Sequence, residues 1–239
     1  MNTVFFNTLM GLRRIWRNGF LLGLILLTWS SLNHSETLIS NDESNLAKAD
    51  ASLQTVLIMG DSLSAAFGID KQKGWVSLLQ ERFADQINVV NASISGETTS
   101  GGRFRISKAL QDYQPDLVVI ELGGNDGLRG TPIPQIKANL EAMIQSARDQ
   151  QAEVLLLGMR IPPNYGARYT TQFEAMYREL AEQYQTLFVP FFLEGAVGLE
   201  GMIQSDGIHP TEKAQPIMAK WVERVVEDWL TTRQASLAS

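Results

Sequence analysis

His209 is one of only two histidines in the 239 residues, and Asp206 stands three positions before it in the stretch SDGIHPTE. A carboxylate at that spacing in a tight loop can hold Nδ1 of the imidazole and leave Nε2 free as a general base. Pro210 biases His209 towards an extended backbone at the start of the following helix. The other histidine, His34, lies just past an N-terminal apolar run, so a histidine base in the folded body has to be His209. With no cysteine in the chain, a thiol nucleophile is excluded, and a hydroxyl needs a base beside it before it attacks. Ser62 offers such a hydroxyl, in GDSLSAAFGI directly after the apolar run TVLIM. A plainer reading makes Gly60 and Asp61 a turn and Ser62 the cap of the next helix.

The tetrahedral intermediate of acyl transfer needs N–H donors aimed at its oxyanion. Gly96, in NASISGETTSGG, has no side chain to keep a ligand from its backbone N–H. Ser95, Thr98 and Thr99 beside it are candidate helix caps. Asn125, in ELGGNDGLRG, carries a side-chain N–H donor, while Asp126 next to it reads as a turn or structural residue. The backbone N–H groups of Ser62 and Gly96 and the Asn125 side chain would form an oxyanion hole, although each stretch also reads as an ordinary loop between strand and helix. G-x-S-x-G is missing, and so is the phosphate-cradling G-x-x-x-x-G-K-[ST]. One histidine and no cysteine in the folded body leave only carboxylates as ligands, so no metal site is expected.

These loops have to be set side by side by the elements between them. Apolar runs of strand length occur at TVLIM (55–59), INVVNA (87–92), DLVVIEL (116–122), EVLLLGM (153–159) and TLFVPFF (186–192). They hardly alternate, which predicts strands buried on both faces. Helical spacing runs through GWVSLLQERFADQ and over about 100–113, 134–150, 170–184 and 211–232. This alternation predicts an α/β fold: a parallel sheet with right-handed crossovers and helices on both faces. Such sheets bind ligands beyond the carboxyl ends of their strands, where Ser62, Gly96 and Asn125 all fall.

The apolar share of 44% and charged share of 19% are those of a globular protein. The formal charge is −6, and the first 33 residues hold three arginines and no acid, so the remainder is more acidic still. That balance excludes a nucleic-acid surface. Residues 1–33 read as a signal peptide or an N-terminal anchor, because Arg13, Arg14 and Arg17 precede FLLGLILLTW (20–29). The run is shorter than the about 20 residues of a membrane span. Thr28 and Ser30 mark one cleavage region and Ala47-Lys48-Ala49 another, and an uncleaved anchor stays open. Without a cysteine after the run, a lipoprotein is excluded. Residues 34–52 read as a polar linker, and the protein is expected in the periplasm or outside the cell.

Ser62, Gly96, Asn125 and His209 sit in stretches that resemble the four motif blocks of the SGNH (GDSL) hydrolases. GDSLS, VVNASISG, ELGGNDGLRG, PPNYGARY and DGIHP followed by AQP are similar to the bacterial multifunctional thioesterase, lysophospholipase and arylesterase subgroup. The resemblance implies a flavodoxin-like three-layer α/β/α sandwich with strand order 2-1-3-4-5. It implies a hydrolase domain over 53–232 with a C-terminal tail at 233–239, and hydrolysis of fatty-acyl thioesters, lysophospholipids and simple esters without metal or cofactor. In that scheme Ser62 is the nucleophile, His209 the base and Asp206 its orienter. Leu128, Ile133, Ile161, Pro162 and Tyr165, after the third and fourth runs, would line an acyl groove or only pack those loops. The expected partner is a small acyl ester or lipid, with transient contact to a membrane surface and a monomeric protein. Competing readings are a carbohydrate O-deacetylase of the same fold, a non-catalytic lipid-binding module, and a nucleotide-binding flavodoxin-like protein. The last is disfavoured by the missing phosphate signature.

Overall fold

Val56, Leu57, Ile58 and Met59 have no exposed surface, and they form the centre of the first strand, β1 (Gln54–Gly60). The computed structural model describes residues 53–237. Along them, β1 is followed by α1 (Trp75–Arg82), β2 (Ile87–Asn91), α2 (Thr99–Tyr113), β3 (Leu117–Glu121) and α3 (Gly124–Leu128). Then come α4 (Ile133–Asp149), β4 (Glu153–Leu157), α5 (Ala167–Tyr184), β5 (Leu187–Val189) and α6 (Gln215–Leu237). The export-signal and linker assignments at 1–33 and 34–52 lie outside the described residues.

All five strands pair in parallel in the order β2-β1-β3-β4-β5, the order that the family resemblance implies. The direction of winding reverses between β1 and β3, and such a switch point opens a crevice at the carboxyl ends of the two strands. Gly60 pairs with Glu121, so those two ends lie level. Helix α2 packs on α4 and α4 on α5, while α1 packs on α6. These pairs cover the sheet, as strands rich in Val, Ile and Leu require. The α1–α6 pair is pinned by Trp75: its ring meets Phe192 edge to face at 5.3 Å, and its backbone N–H donates to Gln215 Oε1 at 3.0 Å.

Three features differ from the pattern of the sequence. β2 is not buried on both faces: Ile87 is covered, but Asn88 and Asn91 are exposed and Val89 and Val90 half-buried. It is an edge strand with a neighbour on one side only. β5 spans three residues of its seven-residue apolar run, because Pro190 has no N–H for the ladder, and Phe191 and Phe192 enter the core beyond it. The expected tail at 233–239 continues α6 as far as Leu237. Arg233 anchors that last stretch, with Nη2 2.5 Å from Asp116 Oδ1 and Nη1 3.8 Å from Glu153 Oε1.

Candidate active site

The turn after β1 is shaped by Asp61, whose Oδ1 accepts the Leu63 N–H at 3.0 Å. The Ala65 N–H reaches the Asp61 carbonyl at 3.0 Å and the Phe67 N–H the Ser62 carbonyl at 3.1 Å. Gly60 is required by close approach, since a Cβ there would lie 2.6 Å from Ser64 Oγ and 2.8 Å from Glu121 Oε2. Ser62 does not cap a helix: its Oγ lies 2.9 Å from His209 Nε2. The other ring nitrogen, Nδ1, is 2.6 Å from Asp206 Oδ2. Asp206 Oδ1 meanwhile accepts the N–H groups of Ile208 and His209, each at 2.9 Å. Those backbone donors, His209's first, hold the Asp206 carboxyl down at about 2. A lasting negative charge at Nδ1 keeps the N–H there and the lone pair at Nε2, facing the serine.

Asn125 arrives from the end of β3 through Gly123, whose φ of 121° suits glycine and where a Cβ would strike the Tyr177 hydroxyl at 2.1 Å. Its Nδ2 donates to Asp61 Oδ2 at 3.0 Å, one residue from Ser62. The loop carrying Gly96 is drawn alongside by the Ile94 N–H, which donates to the Gly60 carbonyl at 3.0 Å. Gly96 itself is exposed, with open space where a Cβ would be. Asp126 is structural, as its sequence position suggested. It accepts the backbone N–H and the hydroxyl of Thr99, both at 2.8 Å, and so fixes the start of α2. Thr98 caps that helix through Gly101.

A serine hydroxyl, an imidazole, a carboxylate and nearby N–H donors at the carboxyl edge of a parallel sheet are the parts of an acyl-transfer site. The model of the GDSL-like Lipase/Acylhydrolase family matches residues 58–216. The chain belongs to this family. Like other GDSL-like acylhydrolases it is an enzyme, a serine hydrolase that cleaves ester and thioester bonds. It is 54% identical over 174 residues to Esterase TesA of Pseudomonas aeruginosa, covering 72% of this chain and 87% of that one. Identity to Thioesterase 1/protease 1/lysophospholipase L1 of Escherichia coli is 41% over 177 residues, covering 74% and 85% of the two chains. The crystal structure of TesA superposes with a TM-score of 0.71 at 52% identity, over 73% of this chain and 99% of that chain.

Of the loop residues expected to line an acyl groove in this GDSL-like acylhydrolase, three are brought together. The Tyr165 hydroxyl donates to the Leu128 carbonyl at 2.8 Å, and Ile161, almost fully buried, packs against Gly127 next to Leu128. Ile133 instead opens α4 and packs against the core, and Pro162 is exposed. Among the described residues no cluster of three or more His, Asp or Glu side chains could hold a metal ion.

Four residues around the site were not singled out by the sequence. The Phe67 ring stacks at 4.5 Å on His209. Gln204 bonds to the carbonyls on either side of the cleft, those of Phe67 and Pro210. Ser64 donates to Glu121 at 2.7 Å. Glu121 is wholly buried, and the one sequence signal for it is an acid inside the apolar run DLVVIEL.

Proposed function

We propose that Ser62, His209 and Asp206 form the catalytic triad of this hydrolase. His209 Nε2 takes the Ser62 proton as Oγ attacks the acyl carbonyl, and the carbonyl oxygen becomes an oxyanion. The backbone N–H groups of Ser62 and Gly96 and the free Nδ2 hydrogen of Asn125 receive that charge. The imidazolium gives its proton to the departing alcohol or thiol, which leaves Ser62 acylated. Water, deprotonated by His209, then releases the acid and restores the serine. The chemistry needs no metal or cofactor, since every proton and charge is handled by these groups. The observation that carries this reading is the unbroken hydrogen-bonded chain from Asp206 to Ser62, at 2.6 and 2.9 Å.

The acyl chain of the substrate would lie against Leu128, Ile161 and Tyr165, with Ile133 and Pro162 at the margin. The N-terminal pattern supports export to the periplasm or beyond, where acyl-CoA is scarce, so exported lysophospholipids or other lipid esters are the physiological substrates. The hydrolase domain begins at residue 53 and acts as a monomer.

A fluorophosphonate probe tests the reading. Labelling confined to Ser62 and lost in Ser62→Ala is the expected result, and no labelling of the folded protein would overturn it. A preference for octanoyl over acetyl p-nitrophenyl esters would separate a fatty-acyl hydrolase from a carbohydrate O-deacetylase.

A further inference from the structure

Beneath the nucleophile turn lies a pair of carboxyl groups that the triad does not use. Glu121 ends β3 and Asp61 follows β1, and with 0% and 3% of their surfaces exposed neither reaches bulk water. Glu121 has no cationic partner among the described residues, whereas an isolated buried carboxylate costs several kcal/mol or more. The Asp61 N–H donates to Glu121 Oε2 at 3.2 Å, which sets the two carboxyl groups side by side. Two buried carboxyl groups set side by side repel each other unless one of them carries a proton.

The surrounding donors decide which. Asp61 has an N–H at each oxygen, Leu63's at Oδ1 at 3.0 Å and Asn125's at Oδ2 at 3.0 Å. Glu121 receives both of its donors at one oxygen: the Asp61 N–H at 3.2 Å and the Ser64 hydroxyl at 2.7 Å both reach Oε2. Oε1 is buried with no donor facing it. Asp61 is therefore solvated as an anion and Glu121 is not.

We propose that Glu121 is a positioning residue that acts as a neutral carboxylic acid. It donates its proton to Asp61, fixes Asp61 as the acceptor for one Nδ2 hydrogen of Asn125, and so leaves the other aimed at the oxyanion. This rests on the oxyanion role proposed for Asn125. Burial and the neighbouring Asp61 charge push the Glu121 carboxyl well above its usual range, in agreement with the donor geometry. The other titratable groups facing the pair are Tyr177 on α5, Asp126 on α3 and His209. Tyr177 stays protonated because burial raises it well above 10, and its hydroxyl donates to the Leu122 carbonyl at 3.0 Å. It therefore supplies nothing to Glu121. Asp126 is engaged by Thr99, and His209 by Asp206 and Ser62.

The test compares Glu121→Gln with Glu121→Met in the full chain. A glutamine amide can donate to Asp61 and accept from Ser64 and the Asp61 N–H, so E121Q should keep kcat within about threefold of the parent at neutral pH. Methionine fills the space without the donor, and E121M should lose at least about tenfold in kcat with KM little changed, although its near-UV circular dichroism stays native. If Glu121 acts through Asn125, E121M should cost little further in an Asn125→Ala background. Additive losses there would overturn that link. The proton is read separately by infrared spectroscopy. The parent should show a protonated-carboxyl C=O stretch at pH 7 that E121Q lacks, and identical spectra would overturn the proposal. Should Asn125→Ala alone leave the rate intact, the oxyanion reading fails, while the infrared band still decides the state of Glu121.

Discussion

The side-chain amide of Gln204 donates to the carbonyl of Phe67 at 2.9 Å and, from the same nitrogen, to that of Pro210 at 2.9 Å. One residue thereby joins the turn that carries Ser62 to the loop that carries His209. The Gln204 backbone N–H adds a bond to the His209 carbonyl at 2.7 Å, which a side-chain substitution leaves in place. Gln204→Ala removes two bonds worth about 1 kcal/mol each. We expect a fall in kcat of about tenfold, the equivalent of about 1.4 kcal/mol in the barrier, with little change in KM. Steady-state kinetics on a p-nitrophenyl ester would show it, and an unchanged kcat would mean that the two loops hold their spacing without the amide.

Asp206→Asn should keep the fold and lose roughly a thousandfold or more in kcat, because an amide no longer enforces the Nδ1–H tautomer. Thermal melting should barely change, since the carboxylate lies at an exposed loop. A variant that melts early with normal kcat would show that Asp206 holds only the loop.

Asn125→Ala removes the side-chain donor proposed for the oxyanion, and such a donor is worth about 3 kcal/mol in the transition state. The expected outcome is a loss of about a hundredfold or more in kcat with KM preserved. Retained labelling of Ser62 by the fluorophosphonate, at a reduced rate, would show that the nucleophile itself is intact.

The Asp61–Glu121 pair makes stability depend on pH in the opposite sense to an ion-paired carboxylate. Burial lifts Asp61 from 3.8 to about 6, and Glu121 is shifted further upward in direction. The folded state therefore holds these protons more tightly than the unfolded state does. The stabilisation is complete below the unfolded value, is lost for Asp61 as the pH rises through about 6, and goes on falling at higher pH as Glu121 ionises. Melting temperatures between pH 5 and pH 9 should decline more steeply for the parent than for Glu121→Gln. Parallel curves would contradict this account.

Much of the candidate site is legible in residue types alone. His209 was singled out by the scarcity of histidine, and Ser62, Gly96 and Asn125 by their places after apolar runs. What stayed hidden depends on contacts between distant segments. Nothing near Gln204 in the chain announces that it bridges to Phe67, 137 positions away. Glu121 reads as the polar end of a strand until Asp61 is laid beside it. The helix at Gly124–Leu128 was masked by its two glycines, which argue for a loop although packing holds them in a helical turn. The final turn of α6 has no signature in the sequence because Arg233 is held by pairing with Asp116 and Glu153, not by any apolar periodicity.

Helix α6 starts just beyond the His209 loop and ends beside Asp116 and Glu153, at the amino-terminal rim of the sheet. Its 23 residues span roughly 34 Å at the rise of an α-helix. The exposed residue Gln234, near its end, therefore sits at the rim opposite Ser62. Because the chain has no cysteine, Gln234→Cys would create a single thiol there. Molecules tethered through it to a solid support would all present their active sites outward, with the entrance open to bulky lipid aggregates as well as to small esters.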